Sequence, residues 1–436
     1  MENSILIYVN QLNARMLYTF RFIFRILNVP YRFTTKLEEF VAYNGPKFSY
    51  TRARLANEFH IHDAGLLHEK GIRPQNIMPG KWDDLPVIFH TNENASIPFD
   101  LLSAAFFLIS RYEEYLTKDT DEHDRFSYKQ SLAYRYGFLD KPLIDIWLEK
   151  FKRIFEAQNP AYRFPPPVFY FRPLLNVSIS HLFKHKGLIR HIGGMADNLF
   201  HLQFKNLMRR LIFIFTKKRD PYDTFYKIIA LKKQYSHPLI SFFLVGSFSD
   251  FDHNISLTRP AYRRIIKTMA DYSDIGLMIS YHHSYDEKKI KKERQSLENL
   301  IHKPVEKVHF HYYRQKIPLS YKLLYKLEFK EDFSCGYPKH SGYRASTAFP
   351  YPFYDLENEE PTDLTVHPIV ITDYQLNFIE KLSPNRALQK LKEIGDQIKK
   401  TGGYFQPVFH NSILSEFEEW ENWSNVYIKL LEEYAK

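Results

Sequence analysis

The chain is poor in the residues that make covalent or metal cross-links: 436 residues contain one cysteine, Cys335. A lone thiol forms no internal disulfide and cannot build a zinc–thiolate site. No apolar run reaches the ~20 residues that a membrane-spanning helix needs. The longest candidate, Leu17 to Val29, is broken by Arg21 and Arg25. Their spacing of four places them on one face of an amphipathic helix packed on a domain. The N-terminus shows no basic region ahead of a long apolar stretch, so a secretory leader is not expected. Zinc-finger spacing, aromatic RNA-recognition signatures and basic heptads are all missing, which argues against a nucleic-acid partner. The expectation is a cytoplasmic protein that does not cross a membrane.

Aromatic rings are plentiful by contrast, with 37 Phe and 31 Tyr against 15 Gly. Such rings fill cores, and those with a polar edge also serve sugar-binding clefts. The formal charge is +10. This suits an anionic partner, and the basic stretch Lys288–Arg294 is the segment through which an anionic membrane surface would be met.

Hydrophobic periodicity divides the chain near Phe164-Pro165-Pro166-Pro167, which no helix can continue through. Residues 1–165 read as an accessory α/β domain, with a strand at Ile5–Val9 and helices over Leu17–Val29, from Asp100 towards Tyr115, and over Leu143–Phe155. From 170 to 436, strands at Leu174–Ile179, Leu239–Val245, Ile275–Ile279, Val305–Tyr312 and Tyr404–Phe409 alternate with helices. That alternation predicts a parallel α/β sheet or barrel. In such folds working residues gather at the C-terminal ends of the strands. The polar residues there are Asn176, Ser178, Ser247, Asp250, Ser280 to His283, His309, His311, Arg344, His410 and Asn411.

Around these residues the chain resembles the polysaccharide deacetylases (carbohydrate esterase family 4, the NodB-like fold), and within them a bacterial subgroup with an uncharacterised N-terminal domain. The resemblance is carried by Asp220-Pro221-Tyr222-Asp223-Thr224-Phe225, Gly342-Tyr343-Arg344-Ala345-Ser346-Thr347, Phe353-Tyr354-Asp355-Leu356 and Gly402-Gly403-Tyr404-Phe405 through His410-Asn411, and it reaches Asp100 to Tyr115 in the first part. It implies a distorted (β/α) barrel in which one aspartate and two histidines hold a metal. A neighbouring aspartate is the base, and a late histidine protonates the leaving amine.

Carried over residue by residue, the resemblance puts the base at Asn176 and the aspartate ligand at Ser178. An amide accepts no proton at neutral pH, and a neutral hydroxyl is a poor zinc donor. Met278 takes the place of the first metal-binding histidine. His282 matches the second, and His311 matches a further histidine of the subgroup. Arg344 matches the arginine that orients the base, and His410 the leaving-group acid. Tyr281 and Tyr343 beside these positions are candidate ligand-binding rings. The expectation is a degenerate deacetylase, a pseudoenzyme without a cofactor, that binds a glycan or glycoconjugate or acts in envelope-polysaccharide metabolism. Two alternatives stand beside it: an active deacetylase with zinc on a rearranged histidine set, and a peripheral scaffold on anionic surfaces.

Overall fold

The computed structural model describes residues 4–91, 94–187 and 204–435. The first region builds a four-stranded parallel sheet from β1 (Ile5–Val9), β2 (Tyr31–Thr34), β3 (Lys47–Thr51) and β4 (Phe59–His62), in the order β2-β1-β3-β4. Helix α1 (Ala14–Leu27) joins β1 to β2. Asn13 starts it by accepting the Met16 N–H, and Asn28 ends it in the left-handed region, where asparagine is tolerated. Arg21 and Arg25 are exposed and most apolar residues of α1 are buried, as the spacing predicts. The helix expected from Asp100 divides. Asp100 caps α2 (Leu101–Ile109), a left-handed Arg111 breaks the path, and a short turn follows at Tyr112–Leu116. Helix α3 (Leu143–Gln158) packs beside them.

The second region is an eight-stranded sheet of β5 (Leu174–Val177), β6 (Ile240–Leu244), β7 (Asp274–Ile279), β8 (Lys307–Phe310), β9 (Glu331–Cys335), β10 (Tyr351–Asp355), β11 (Glu360–Pro368) and β12 (Val408–His410). Its order is β10-β11-β9-β8-β7-β6-β5-β12, with β10 antiparallel to β11 and every other pairing parallel. The sheet curls: Thr372, just past β11, bridges to Val408 on the opposite edge strand. The chain is therefore mixed α/β with a curled, mostly parallel sheet.

Both faces of this sheet are covered, so its central strands are near-continuous apolar runs. The period of two sorts them cleanly. Leu174, Phe242, Leu244, Met278 and Phe333 form a cluster on the concave face. Leu175, Val177, Phe243, Leu277 and Phe310 join the large core on the other face. Strands end earlier than expected where turns intervene; β8 stops at Phe310 because Tyr312 and Tyr313 both take positive φ.

Contacts between the two regions are extensive. The Tyr18 ring lies 4.8 Å from that of Tyr354, and its hydroxyl donates to the Pro352 carbonyl at 2.8 Å. Arg15, 2% exposed, forks onto Glu359 at 2.5 and 2.9 Å. Asp145 on α3 accepts from Thr347 Oγ1 at 2.6 Å and the Ala348 N–H at 2.7 Å.

Candidate functional site

The C-terminal ends of β5, β8 and β12 open into a cavity of about 270 Å³, near the lower end for small-molecule sites. Asn176, Ser178, His309, His311, His410 and Asn411 line it, all of them named by the strand-end reading. Tyr222, Phe251, Tyr312, Tyr374, Phe378 and Trp420 form much of the remaining wall.

His309 and Asn176 come to the same face because each falls on the concave side of its strand, above the apolar cluster. His309 Nδ1 lies 2.8 Å from the Phe333 carbonyl, which can only accept, so Nδ1 carries the proton. Burial drives the imidazole pKa down to about 3, with His311 and His410 adding repulsion, so the ring is neutral and Nε2 is an acceptor. The Asn176 amide nitrogen then donates to Nε2 at 3.1 Å. That assignment fixes the amide and leaves Asn176 Oδ1 buried with no partner among the described residues; the Tyr313 hydroxyl is in the same condition. One orphan acceptor and one orphan donor therefore belong to residues lining one cavity.

Two further histidines are held from behind. His311 Nδ1 meets Asp252 Oδ1 at 2.8 Å. Asp252 also accepts the Tyr281 N–H and Ser249 Oγ. Burial alone would raise the Asp252 pKa, but the His311 bond and charge and these donors hold it below the usual carboxylate value. His410 Nδ1 meets Asp373 Oδ1 at 2.7 Å, and Oδ2 accepts the His410 backbone N–H at 2.7 Å. In both rings Nε2 has no protein partner among the described residues, so both can exchange a proton or a hydrogen bond with a guest.

Several candidate residues lie elsewhere. Met278 is fully buried in the concave apolar cluster beneath the cavity, paired across the ladder with His309. His282 is exposed and outside the cavity lining, because the turn after β7 sends it to solvent. Its neighbour His283 turns to Glu293 at 2.7 Å. Tyr281 is buried outside the cavity, stacked on Phe251 at 3.9 Å with its hydroxyl 2.8 Å from His123 Nδ1. Tyr343 is buried against the helix Pro384–Thr401, donating to Gln397 at 3.1 Å.

Arg344 is 2% exposed and not in the lining. It grips Glu114 through two bonds of 2.9 and 2.6 Å and donates to the Gly336 carbonyl at 3.1 Å. Arg111 shares Glu114 at 2.9 Å, and burial, which would raise the Glu114 pKa, is overcome by the two guanidiniums, which lower it.

A metal held by one aspartate and two histidines does not fit these donors. Ser178 and Asn176 are uncharged, Met278 faces the core, and His282 is exposed. Both nitrogens of His309 are engaged, and no group of three His, Cys, Asp or Glu side chains among the described residues is placed to hold an ion. His181 and His185, whose rings lie 4.9 Å apart, are also outside the lining. Asp373 escaped the sequence reading, although a Thr-Asp pair shortly after a strand was its available signal.

Residues 5–160 match a family model described as Family of unknown function (DUF7033). No curated protein matches the chain. Among solved structures, one named as a candidate polysaccharide deacetylase from Mycobacterium smegmatis is similar at 12% identity, over 62% of this chain and 85% of that one, with a TM-score of 0.41. No helix among the described residues is long and apolar enough to cross a membrane.

Proposed function

We propose that the cavity holds a sugar residue of a glycan or glycoconjugate, and that the chain does not perform zinc-dependent deacetylation. The observation that carries the reading is the pair of orphan groups. Asn176 and Tyr313 line an aromatic-walled cavity, and each keeps one buried polar atom, Asn176 Oδ1 and the Tyr313 hydroxyl, with no partner among the described residues. Leaving such atoms unpaired costs roughly 1–3 kcal/mol each, so a guest that supplies both partners binds with advantage. A sugar hydroxyl or acetamido N–H serves the first, and a hydroxyl or carbonyl oxygen serves the second. The sequence resemblance supplies the substrate class.

A second reading rests on the two carboxylate-backed imidazoles. His311 and His410 are oriented as a base or an acid would be, without help from a metal.

The test combines binding, metal and product measurements. Chitotetraose and cellotetraose are titrated against the full chain with tryptophan fluorescence as readout, since Trp420 lines the cavity. Saturable binding of either is expected, weakened severalfold by Tyr313→Phe, with zinc well below stoichiometric and no acetate released. Stoichiometric zinc with acetate release would overturn the first reading, and so would failure of both oligosaccharides to bind. Acetate release from metal-free protein, abolished by His311→Ala or His410→Ala, would favour the second.

A further inference from the structure

We infer that the helix Phe204–Phe215 is a docking surface for an anionic lipid membrane. From Phe204 to Arg219 the sequence reads FKNLMRRLIFIFTKKR, with six Lys or Arg and no Asp or Glu. A surface helix ordinarily turns its apolar stripe inward and its charges outward. This one does otherwise. Phe213 packs inward, stacked on Phe183 at 5.3 Å and edge-on to Phe417 at 5.8 Å. Arg209 joins that packed side, paired with Glu418 at 2.6 Å. Met208, Ile212 and Phe215 follow at spacings of four and three, which places them on a single stripe well away from Phe213. They are 58%, 40% and 80% exposed.

The cations complete the pattern. Lys217 and Lys218 are exposed directly after the stripe, and Arg219 beside them pairs with Asp223 at 3.5 Å. Lys184 fastens the turn to the body by donating to the carbonyls of Thr216 and Lys218. An apolar stripe with flanking cations and no acid is the composition that lies in the headgroup layer of an anionic bilayer.

A second copy of the chain fits less well. A symmetric pairing would set this cationic segment against itself. The helix Glu287–Ile301, the basic segment noted in the sequence, lacks such a stripe. Its Lys288, Lys289, Lys291 and Lys292 are exposed, while Ile290, Leu297 and Leu300 are buried.

The test uses the full chain and sedimentation with vesicles of phosphatidylcholine alone or mixed with an equal part of phosphatidylglycerol. Binding to the mixed vesicles only is expected. Ile212→Ser with Phe215→Ser should lower the partition about tenfold or more, because both side chains leave water on docking. Lys217→Glu with Lys218→Glu should lower it severalfold, with unchanged thermal midpoints in both variants. The inference is overturned if mixed vesicles do not sediment the protein. It is overturned equally if only the charge substitutions matter, which would indicate a polyanion site. A concentration-dependent dimer abolished by the serine variant, without vesicle binding, would assign the stripe to self-association instead. None of these outcomes depends on the cavity's ligand.

Discussion

Asn176 and His309 hold each other by a single bond of 3.1 Å in which the amide donates and the ring accepts. The direction of that bond decides what an acidic residue would do in its place. Asn176→Asp would set a carboxylate against the Nε2 lone pair, two acceptors facing each other. The ring could satisfy the new neighbour only by taking up a proton, which raises its pKa from the present value near 3.

A raised folded-state pKa stabilises at low pH and loses that contribution as pH rises. The variant should therefore melt lower than the parent at pH 8, by an amount corresponding to about 1–3 kcal/mol, and recover much of the deficit at pH 5.5. Thermal midpoints of both proteins at both pH values check this. Equal deficits would show that no proton is shared. The same variant should not acquire stoichiometric zinc, because Ser178 and Met278 are unchanged.

Arg344 yields a prediction of a different kind. Its guanidinium is sealed against Glu114, from the other region of the chain, with Arg111 on the same carboxylate. Removing one partner of a buried ion pair strands the other, at a typical cost of 3–5 kcal/mol. Arg344→Met should lower the thermal midpoint by on the order of 3–5 °C. Oligosaccharide affinity of the folded protein should change less than twofold. A stable variant that no longer binds would return Arg344 to the ligand site.

This pair also shows what the sequence could and could not disclose. Asp100–Tyr115 and Gly342–Thr347 stood out as separate fragments, and the fold brings them together as Glu114 and Arg344. Nothing in spacing announces a contact across 230 positions. Local chemistry was more legible. The strand-end rule located Asn176, Ser178, His309, His311 and His410 in the cavity, because parallel strands deliver their termini to one end.

The same rule misplaced His282, Tyr281 and Arg344, because a strand end says nothing about the turn that follows. After β7 a short turn exposes His282 and buries Tyr281 outside the cavity. Met278 shares the concave face with Asn176 and His309, but its side chain is fully buried in the apolar cluster and does not reach the lining. The pairing of particular carboxylates with these histidines was the least visible. Asp252 is 59 residues from His311, and Asp373 is 37 from His410.

Histidines buried in the neutral state make a final, general prediction about acid. Burial lowers the pKa of His309 to about 3, and that of His367 and His237 to about 4. Unfolded histidine titrates near 6.5, so below that pH the unfolded chain binds protons that the folded chain refuses. The stabilising contribution of each ring is complete above pH 6.5 and is lost as pH falls towards its folded value. Asp145 works the other way: burial raises its pKa to about 8, so acid favours its folded, protonated form. Comparing His309→Gln with the parent cancels Asp145 and the other two rings. Glutamine can donate to Phe333 and accept from Asn176 but does not titrate. Between pH 7 and pH 4.5 the parent should lose on the order of 2 kcal/mol more unfolding free energy than the variant. Urea unfolding at the two pH values measures the difference, and identical losses would mean that His309 is already protonated in the folded protein.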